Sequence, residues 1–266
     1  MKKSTAPLRG DYTQAAADFS VVQDWDAHTP AEHDLYRRLF ARQSRLVPQY
    51  ACPEFIRALV GLDASNAIPR FDTVSERLRA STGWEIVAVP GLIPDEAFFT
   101  HLANRRFPVT VWLRKPEEFD YIVEPDLFHD FFGHVPLLFD VPYADHLCEY
   151  GKGGLKALHL DGLTFLARLY WHTIEFGLVR TPAGVRAYGA GLLSSGGELT
   201  YAVDSTEPKR IDFSVFEAMR THYEIDRFQG TYFVIESFEQ LLKDTAPDFT
   251  PHYARLNAQA HEPKHR

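Results

Sequence analysis

The segment EPDLFHDFFGHVPLLFD, residues Glu124–Asp140, places two histidines among four phenylalanines. His129 and His134 are five positions apart, so on a continuous α-helix their side chains would point about 140° away from each other. Gly133 and Pro136 favour a helix that tightens or ends between the histidines, which would bring them together. The segment therefore predicts either a two-histidine clamp at a helix end or two partly buried histidines that bond to the backbone.

A carboxylate farther along the chain extends this pattern. Glu175 lies between Ile174 and Phe176 in the apolar segment LYWHTIEFGLV. A carboxylate in such surroundings is costly to bury unless it is paired or binds a metal, and the alternative is that helix rotation exposes Glu175 to water. Two histidines and one carboxylate form the facial ligand set of non-haem iron(II) oxygenases. Zinc accepts the same atoms, so the residues predict a metal site and leave the metal undecided.

Composition excludes several classes of protein. The 266 residues are 45% hydrophobic and 24% charged, which is typical of a globular protein with a substantial core. The net charge of -8 argues against a general nucleic-acid binder. Cys52 and Cys148 are too few for a disulfide framework, which favours a reducing compartment. No apolar run is long enough to span a membrane, and none follows the basic start. We therefore expect a cytoplasmic protein without membrane or nucleic-acid partners.

Hydrophobic periodicity predicts a mostly α fold with a few short strands, an α+β class in one domain. Thr29 can cap the first helix, and Pro30 suits its first turn. Residues 1–13 are expected to form a flexible tail and residues 14–266 the functional domain. Helices are predicted in HTPAEHDLYRRLFARQSRLV, CPEFIRALVGL, RFDTVSERLRAST, IPDEAFFTHLANRR and LDGLTFLARLYWHTIEFGLV. Strands are predicted in WEIVAVPG and FPVTVWLR, a turn and a short helix in GVRAYGAGLLSSGGELTYAV, and a strand followed by a helix in TYFVIESFEQLLKDT.

Three longer motifs resemble those of a known family. EPDLFHDFFGHVPLL, LYWHTIEFGLV and AYGAGLLSSGGEL together resemble the catalytic domain of the pterin-dependent aromatic amino acid hydroxylases, and the similarity runs from about Val87 to Phe238. Three long motifs in the same order are far more specific than a short pattern. The chain is similar to the short bacterial members, which lack the regulatory and tetramerising segments of animal relatives. With no heptad pattern after the motifs, we expect a monomer.

The resemblance implies an iron(II) site with His129, His134 and Glu175 as ligands. It also places two residues around His129. Asp126, one turn earlier, would accept a hydrogen bond from the ring N–H that does not bind metal, which would fix the orientation of the ring. Ser194 would lie beside the same histidine. The alternatives are a helix cap for Asp126 and a turn hydroxyl for Ser194.

The resemblance further implies a tetrahydropterin cofactor, with O2 as co-substrate. Phe98 would stack on the pterin ring, and backbone groups of Gly91 and Leu92 would contact its edge. Asp130 and Tyr170 would complete the pterin site. Asp130 stands where animal relatives carry Glu, so its shorter side chain leaves a cofactor contact in question.

For the amino acid substrate, the resemblance assigns Arg114, at the end of the predicted strand VTVWLR, to the carboxylate. A guanidinium can form two parallel hydrogen bonds to such a group. The alternative is a surface ion pair with Glu117 or Glu118. Ile122 stands where animal relatives have Thr, so one substrate contact is missing or replaced. The remaining implied contacts wall the ring pocket (Pro125, Trp171, Phe176) or face the amino acid backbone (Gly191, Ser194, Ser195).

The implied activity is that of a phenylalanine 4-monooxygenase, which converts L-phenylalanine to L-tyrosine. Three alternatives stay open at this point. The same chemistry could act on tryptophan or tyrosine, the triad could hold zinc and activate water for hydrolysis, or the chain could be a catalytically silent binding protein.

Overall fold

Most of the chain is helical, and the strands form two small sheets. The computed structural model describes residues 9–225, 227–246 and 248–261, with side chains through residue 258. The α-helices of this part are α1 (Pro30–Tyr50), α2 (Pro53–Leu62), α3 (Phe71–Ser81), α4 (Asp95–Ala103), α5 (Val141–Ala157), α6 (Leu163–Tyr170), α7 (Ala190–Ser194), α8 (Gly196–Asp204), α9 (Val215–Arg220), α10 (Phe238–Thr245) and α11 (Thr250–His261). The 3-10 helices are Trp25–Ala27, Pro116–Glu118 and Val135–Phe139, and the π-helices are His129–His134 and Trp171–Glu175.

The strands form one parallel pair and one mixed sheet. They are β1 (Glu85–Val89), β2 (Arg106–Thr110), β3 (Leu178–Thr181), β4 (Gly184–Ala187), β5 (Lys209–Asp212) and β6 (Thr231–Ile235). β1 and β2 pair in parallel, while the other four lie in the order β4-β3-β6-β5. Only β3 and β4 are antiparallel in this second sheet. The strand that follows the second π-helix, β3, is therefore held on both sides.

Local signals explain how α1 begins. The Thr29 side chain accepts a hydrogen bond from the Glu32 backbone N–H at 3.2 Å, and the Glu32 carboxylate accepts from the Thr29 N–H at 2.8 Å. This reciprocal arrangement is a capping box, which satisfies two backbone donors that a helix start leaves unpaired. The buried face of α1 then carries Leu35, Leu39 and Gln43 toward the interior.

The segment that holds the two histidines crosses the middle of the core. Phe128, Phe131 and Phe132 are fully buried, and Phe132 lies edge-on to Phe40 of α1 with ring centroids 5.2 Å apart. Aromatic pairs of this kind add about 0.5–1.5 kcal/mol to the free energy gained by burial. The phenylalanines of the opening segment therefore hold the backbone between the histidines against α1.

The expected α+β class and most of the expected elements are confirmed. Three details differ. The strand predicted in FPVTVWLR ends at Thr110, so Arg114 does not end it. The segment GVRAYGAGLLSSGGELTYAV contains β4, α7 and α8 rather than a turn and one helix. The long helix predicted around Glu175 is α-helical only from Leu163 to Tyr170 and continues as a π-helix.

The last residues of the expected N-terminal tail contact the rest of the chain, while residues 1–8 lie outside the described part. The Arg9 guanidinium donates to the Glu118 carboxylate at 2.9 Å, and the Tyr12 hydroxyl donates to the Leu92 carbonyl at 2.9 Å. These long-range contacts attach the segment to the rest of the domain. Among the described helices, none has the length and apolar character needed to cross a bilayer.

Candidate metal centre and active site

Two π-helical segments bring the expected metal ligands together. His129 and His134 are the two ends of the first π-helix, and Glu175 is the last residue of the second. A π-helix is wider than an α-helix because its hydrogen bonds join residues five apart, as in the 2.9 Å bond from the Phe176 N–H to the Trp171 carbonyl. Side chains five positions apart then share one face. The expectation that a tightened or ended helix joins the histidines is wrong, because the helix widens instead.

Packing against α7 accompanies the first π-helix. A Cβ placed on Gly133 would lie 2.9 Å from both the Cβ and the carbonyl oxygen of Ala190. Such a distance is too short for a non-bonded contact, so the close approach of α7 requires glycine at this position. The approach brings Ser194, at the other end of α7, next to the histidines.

The three ligand atoms converge on one point. Single donor atoms of His129, His134 and Glu175 all lie within 4.8 Å of one another. The His134 Nε2 lies 3.2 Å from Glu175 Oε1, and the His129 Nε2 lies 3.6 Å from Glu175 Oε2. Two imidazole nitrogens and one carboxylate match the facial triad of non-haem iron(II) enzymes. The residues present therefore fit an iron ion.

Electrostatics keep the Glu175 carboxylate ready to bind a cation. Burial alone would raise the pKa of Glu175, but the neighbouring His134 and His129 hold the pKa below its ordinary value. A hydrogen bond from Tyr170 acts in the same direction. The carboxylate is therefore ionised at neutral pH, which is the state that binds metal.

Ser194, and not Asp126, contacts the His129 ring. The His129 Nδ1 lies 2.9 Å from Ser194 Oγ, and that hydroxyl donates to the Ala190 carbonyl at 2.8 Å. Since the hydroxyl proton is used there, Ser194 accepts from the Nδ1–H of His129, which leaves Nε2 unprotonated toward Glu175. Asp126 Oδ1 accepts instead from the His129 backbone N–H at 3.0 Å. The expected contact between Asp126 and the His129 ring is wrong, because the Asp126 carboxylate accepts hydrogen bonds from the backbone and from an arginine side chain.

That arginine is Arg114, and both partners are buried. The Arg114 Nε and Nη2 atoms donate to the two carboxylate oxygens of Asp126 at 2.9 Å each. Their side chains are 3% and 0% exposed, so the alternative of a surface ion pair with Glu117 or Glu118 is wrong. Nη1 makes only a long contact of 3.5 Å to the Phe119 carbonyl. One edge of the guanidinium is thus occupied, and Nη1 has hydrogen-bonding capacity left.

Three of the residues expected to bind pterin, Phe98, Tyr170 and Asp130, can be related to the two histidines. The Phe98 and Tyr170 rings meet edge-on with centroids 5.8 Å apart, and the Tyr170 ring lies 6.4 Å from the His134 ring. Asp130 accepts from the Thr110 backbone N–H at 2.9 Å, and burial raises its pKa although the nearby histidines oppose this effect. An aromatic surface therefore leads from Phe98 to the metal ligands.

The loop that carries Gly91 and Leu92 is covered by the N-terminal segment. A Cβ on Gly91, where φ is +152°, would lie 2.9 Å from the Arg9 carbonyl oxygen and from the Tyr12 hydroxyl. The Leu92 carbonyl already accepts from Tyr12, while the Leu92 side chain is exposed. Part of the backbone of this loop is thus already in contact with the N-terminal segment, and only the remaining backbone groups are available to a ligand.

A stack of aromatic rings adjoins Glu175 in the chain. Trp171 stacks on Phe176 with centroids 4.9 Å apart and on Tyr223 with centroids 4.3 Å apart. The sequence reasoning missed Tyr223, which lies in an irregular loop with no periodic signal. Gly191 adjoins this stack, since a Cβ there would lie 2.8 Å from Phe176 Cζ. The three rings form one stack, in which the buried Trp171 Nε1 has no hydrogen-bond partner.

Two further residues expected to bind substrate, Pro125 and Ser195, have no contact that points to a ligand, and the same is true of Ile122, where a contact of the family was expected to be missing or replaced. Pro125 and Ile122 are partly buried in the loop before the first π-helix. The Ser195 hydroxyl accepts from the Glu198 backbone N–H at 3.2 Å and caps α8. A hydroxyl that accepts this bond can still donate one of its own.

The comparisons with known proteins agree with this geometry. The family model for biopterin-dependent aromatic amino acid hydroxylases matches residues 9–263. A phenylalanine-4-hydroxylase of Ralstonia nicotianae is 56% identical over 240 residues, which cover 90% of this chain and 77% of the relative. One of Chromobacterium violaceum is 54% identical over 242 residues, which cover 91% and 82%. The crystal structure of phenylalanine hydroxylase from the latter organism with iron and phenylalanine bound matches with 53% identity and a TM-score of 0.88, over 92% of this chain and 89% of that one. The chain belongs to the biopterin-dependent aromatic amino acid hydroxylase family.

Proposed function

We propose that the protein hydroxylates L-phenylalanine to L-tyrosine with O2 and a tetrahydropterin, as a phenylalanine 4-monooxygenase. The observation that carries this proposal is the convergence of His129, His134 and Glu175 next to an aromatic stack and a buried arginine. The relatives at 56% and 54% identity bear the name of the same activity. A zinc hydrolase is not favoured, because the family uses a pterin and the iron-bound relative superimposes closely.

When bound, the iron and the reduced pterin would supply the activation of O2 and the electrons that hydroxylation of an aromatic ring requires. His129, His134 and Glu175 would hold the iron on one face and leave positions open on the other. The protein's part is to fix these ligands before the reaction, which Ser194 does for His129 through its hydrogen bond to Nδ1.

Arg114 would bind the substrate carboxylate. Asp126 holds the Nε and Nη2 edge of the guanidinium, so the group cannot rotate freely, and the donors left for a ligand are the Nη1 hydrogens and the second hydrogen of Nη2. The backbone around Gly191, Ser194 and Ser195 would face the amino acid part of the substrate. Fixing the carboxylate at one point determines which ring carbon reaches the metal side of the pocket.

The substrate ring would lie in the aromatic pocket. Trp171, Phe176 and Pro125 would form its walls, with Tyr223 behind Trp171. None of these side chains carries a charged group that would favour a charged substrate ring. A ring without substituents, as in phenylalanine, leaves no buried hydroxyl or indole N–H without a partner.

The pterin would stack on Phe98 and approach the metal along Tyr170. Asp130 would contribute one carboxylate oxygen, because the other accepts from the Thr110 N–H. Gly91 and Leu92 would contribute backbone groups from the opposite side. These roles are supported by the aromatic path from Phe98 through Tyr170 to His134.

Two further properties belong to the same proposal. The protein would work in the cytoplasm, since Cys52 and Cys148 are both free and buried and buried thiols persist in a reducing compartment. It would act as a monomer on a small-molecule substrate, without a nucleic-acid or membrane partner.

The test is to supply the protein with iron(II), tetrahydropterin and O2 and to measure initial rates on phenylalanine, tryptophan and tyrosine separately. The expected result is 4-hydroxylation of phenylalanine with the highest kcat/KM of the three. A preference for tryptophan or tyrosine would retain the chemistry and overturn the substrate. Zinc-loaded protein is the matched control and should give no product.

A further inference from the structure

Gln43 of α1 has a fully buried side chain. Its amide nitrogen donates to the Leu193 carbonyl at 2.6 Å and to the Ser195 carbonyl at 3.2 Å. These two carbonyls flank Ser194. The amide oxygen accepts from Arg42 Nε at 3.0 Å. These three hydrogen bonds are consistent only with the amide nitrogen facing the Ser194 backbone and the oxygen facing Arg42.

The position of Ser194 depends on this amide because α7 is short. The helix comprises five residues and ends at Ser194, and the chain turns directly into α8. Carbonyls in the last turn of a helix lack partners within the helix. Gln43 supplies partners from a different helix, at the place where the chain changes direction.

Arg42 holds the same junction from its other side. Its Nη2 atom reaches the Ser194 carbonyl at 3.4 Å, and its Nη1 atom donates to the Phe119 carbonyl at 2.8 Å. Together, the side chains of Arg42 and Gln43 contact the backbone of three successive residues, 193 to 195.

Ser194 in turn determines which nitrogen of His129 faces Glu175. Its hydroxyl donates to the Ala190 carbonyl and accepts from the His129 Nδ1–H. The bond made by one ring nitrogen sets the proton on it and leaves the other free for a metal. A shift of Ser194 would change the orientation of the ring and the direction of its Nε2 lone pair.

We propose that Gln43 is a positioning residue for the metal ligand His129 and that it acts through Ser194. This inference rests on the proposed role of His129 as an iron ligand. Gln43 touches neither substrate nor metal, and it was not among the residues that the sequence motifs singled out. Its contribution is to hold the Ser194 junction so that the imidazole is oriented before metal binds.

The experiment is a titration of metal-free full-length protein with cobalt(II), followed by visible absorption. Loss of a residue that bonds directly to a metal-bound histidine weakens metal binding by about 10–100-fold, and this is expected for Ser194→Ala. Gln43 affects His129 only through Ser194, so for Gln43→Leu we expect a smaller loss, roughly 3–10-fold weaker cobalt affinity. In the Ser194→Ala background the same change should add less than about twofold, because effects in one network are not additive.

Tyr50→Phe is the matched control. It removes a 2.6 Å hydrogen bond from the same helix to Asp204, away from the Ser194 junction, and should leave cobalt affinity and spectrum unchanged. If Gln43→Leu does not fold, Gln43→Met keeps the length of the side chain while removing both N–H donors. It should give the same loss.

Two results would overturn the proposal. One is wild-type cobalt affinity in the Gln43 variants alongside lowered thermal stability, which would make the role structural only. The other is an equal loss with and without Ser194, which would mean that Gln43 acts by another route. Failure of the wild type itself to bind cobalt would instead contradict the proposed function, so the two failures are distinguishable.

Discussion

Replacement of Arg114 should destabilise the fold as well as weaken substrate binding. Arg114→Ala would leave the Asp126 carboxylate buried with only two backbone donors, the N–H groups of residues 114 and His129. Removal of one partner from a buried ion pair costs about 3–5 kcal/mol. The two remaining donors favour the lower end of this range. For a chain of this size, about 3 kcal/mol corresponds to a fall in Tm of roughly 6–12 °C.

The assay is thermal unfolding of the metal-free protein by circular dichroism, with the KM for phenylalanine measured in parallel. We expect the KM to rise about thirtyfold or more, as when a buried charged pair loses one partner. Arg114→Lys should show a smaller fall in Tm, because an ammonium keeps the charge but cannot bond both carboxylate oxygens in one plane.

Arg180→Ala is the control for loss of an arginine. Arg180 pairs with Asp212 and Glu236 on the surface, where its side chain is 47% exposed, so less than about 1 kcal/mol is expected. Equal Tm values for Arg114→Ala and Arg180→Ala would refute the buried-pair reasoning. A normal KM with a lowered Tm would instead remove Arg114 from the substrate site.

Three other predictions concern the metal ligands, pH and assembly. His129→Ala, His134→Ala and Glu175→Ala should each lose stoichiometric iron and turnover, and a variant that keeps both in metal analysis and an activity assay would exclude that residue. Burial lowers the pKa of His146 to about 3, so the folded protein keeps it neutral while the unfolded chain takes up a proton below its ordinary pKa of about 6.5. The free energy of unfolding should therefore fall by about 2 kcal/mol between pH 6.5 and pH 5 because of His146. Urea unfolding at several pH values should show a fall smaller by this amount in His146→Gln. An equal fall in both proteins would contradict the prediction. Sedimentation at micromolar concentration should show a monomer, and a tetramer would overturn that expectation.

Elements with local signals could be predicted from the sequence. The capping box at Thr29 and Glu32 involves residues three apart, so their types alone indicate where α1 begins. The metal ligands followed from a motif resemblance together with the cost of burying Glu175. In the first case the information lies within four residues, and in the second it lies in motifs whose order along the chain matches that of the family.

The parts that the sequence could not predict depend on contacts between distant segments. The π-helix at His129–His134 is accompanied by the packing of α7 against Gly133, and hydrophobic periodicity does not report which carbonyl an N–H will bond. The Asp126 carboxylate could bond either to the nearby His129 ring or to an arginine more distant in the chain. Only the folded chain shows that it accepts from the Arg114 guanidinium. Tyr223 stacks on Trp171 from an irregular loop, so no sequence pattern predicts this contact.

The most direct test of the central claim is the fate of labelled oxygen in a turnover experiment. Iron(II)-loaded protein, tetrahydropterin and phenylalanine would be supplied with ¹⁸O2, and the product would be analysed by mass spectrometry. We predict tyrosine with one ¹⁸O atom, formed only when both the pterin and iron are present, and none from Glu175→Ala. Tyrosine whose oxygen comes from water, or no tyrosine from protein that has bound iron stoichiometrically, would contradict the account.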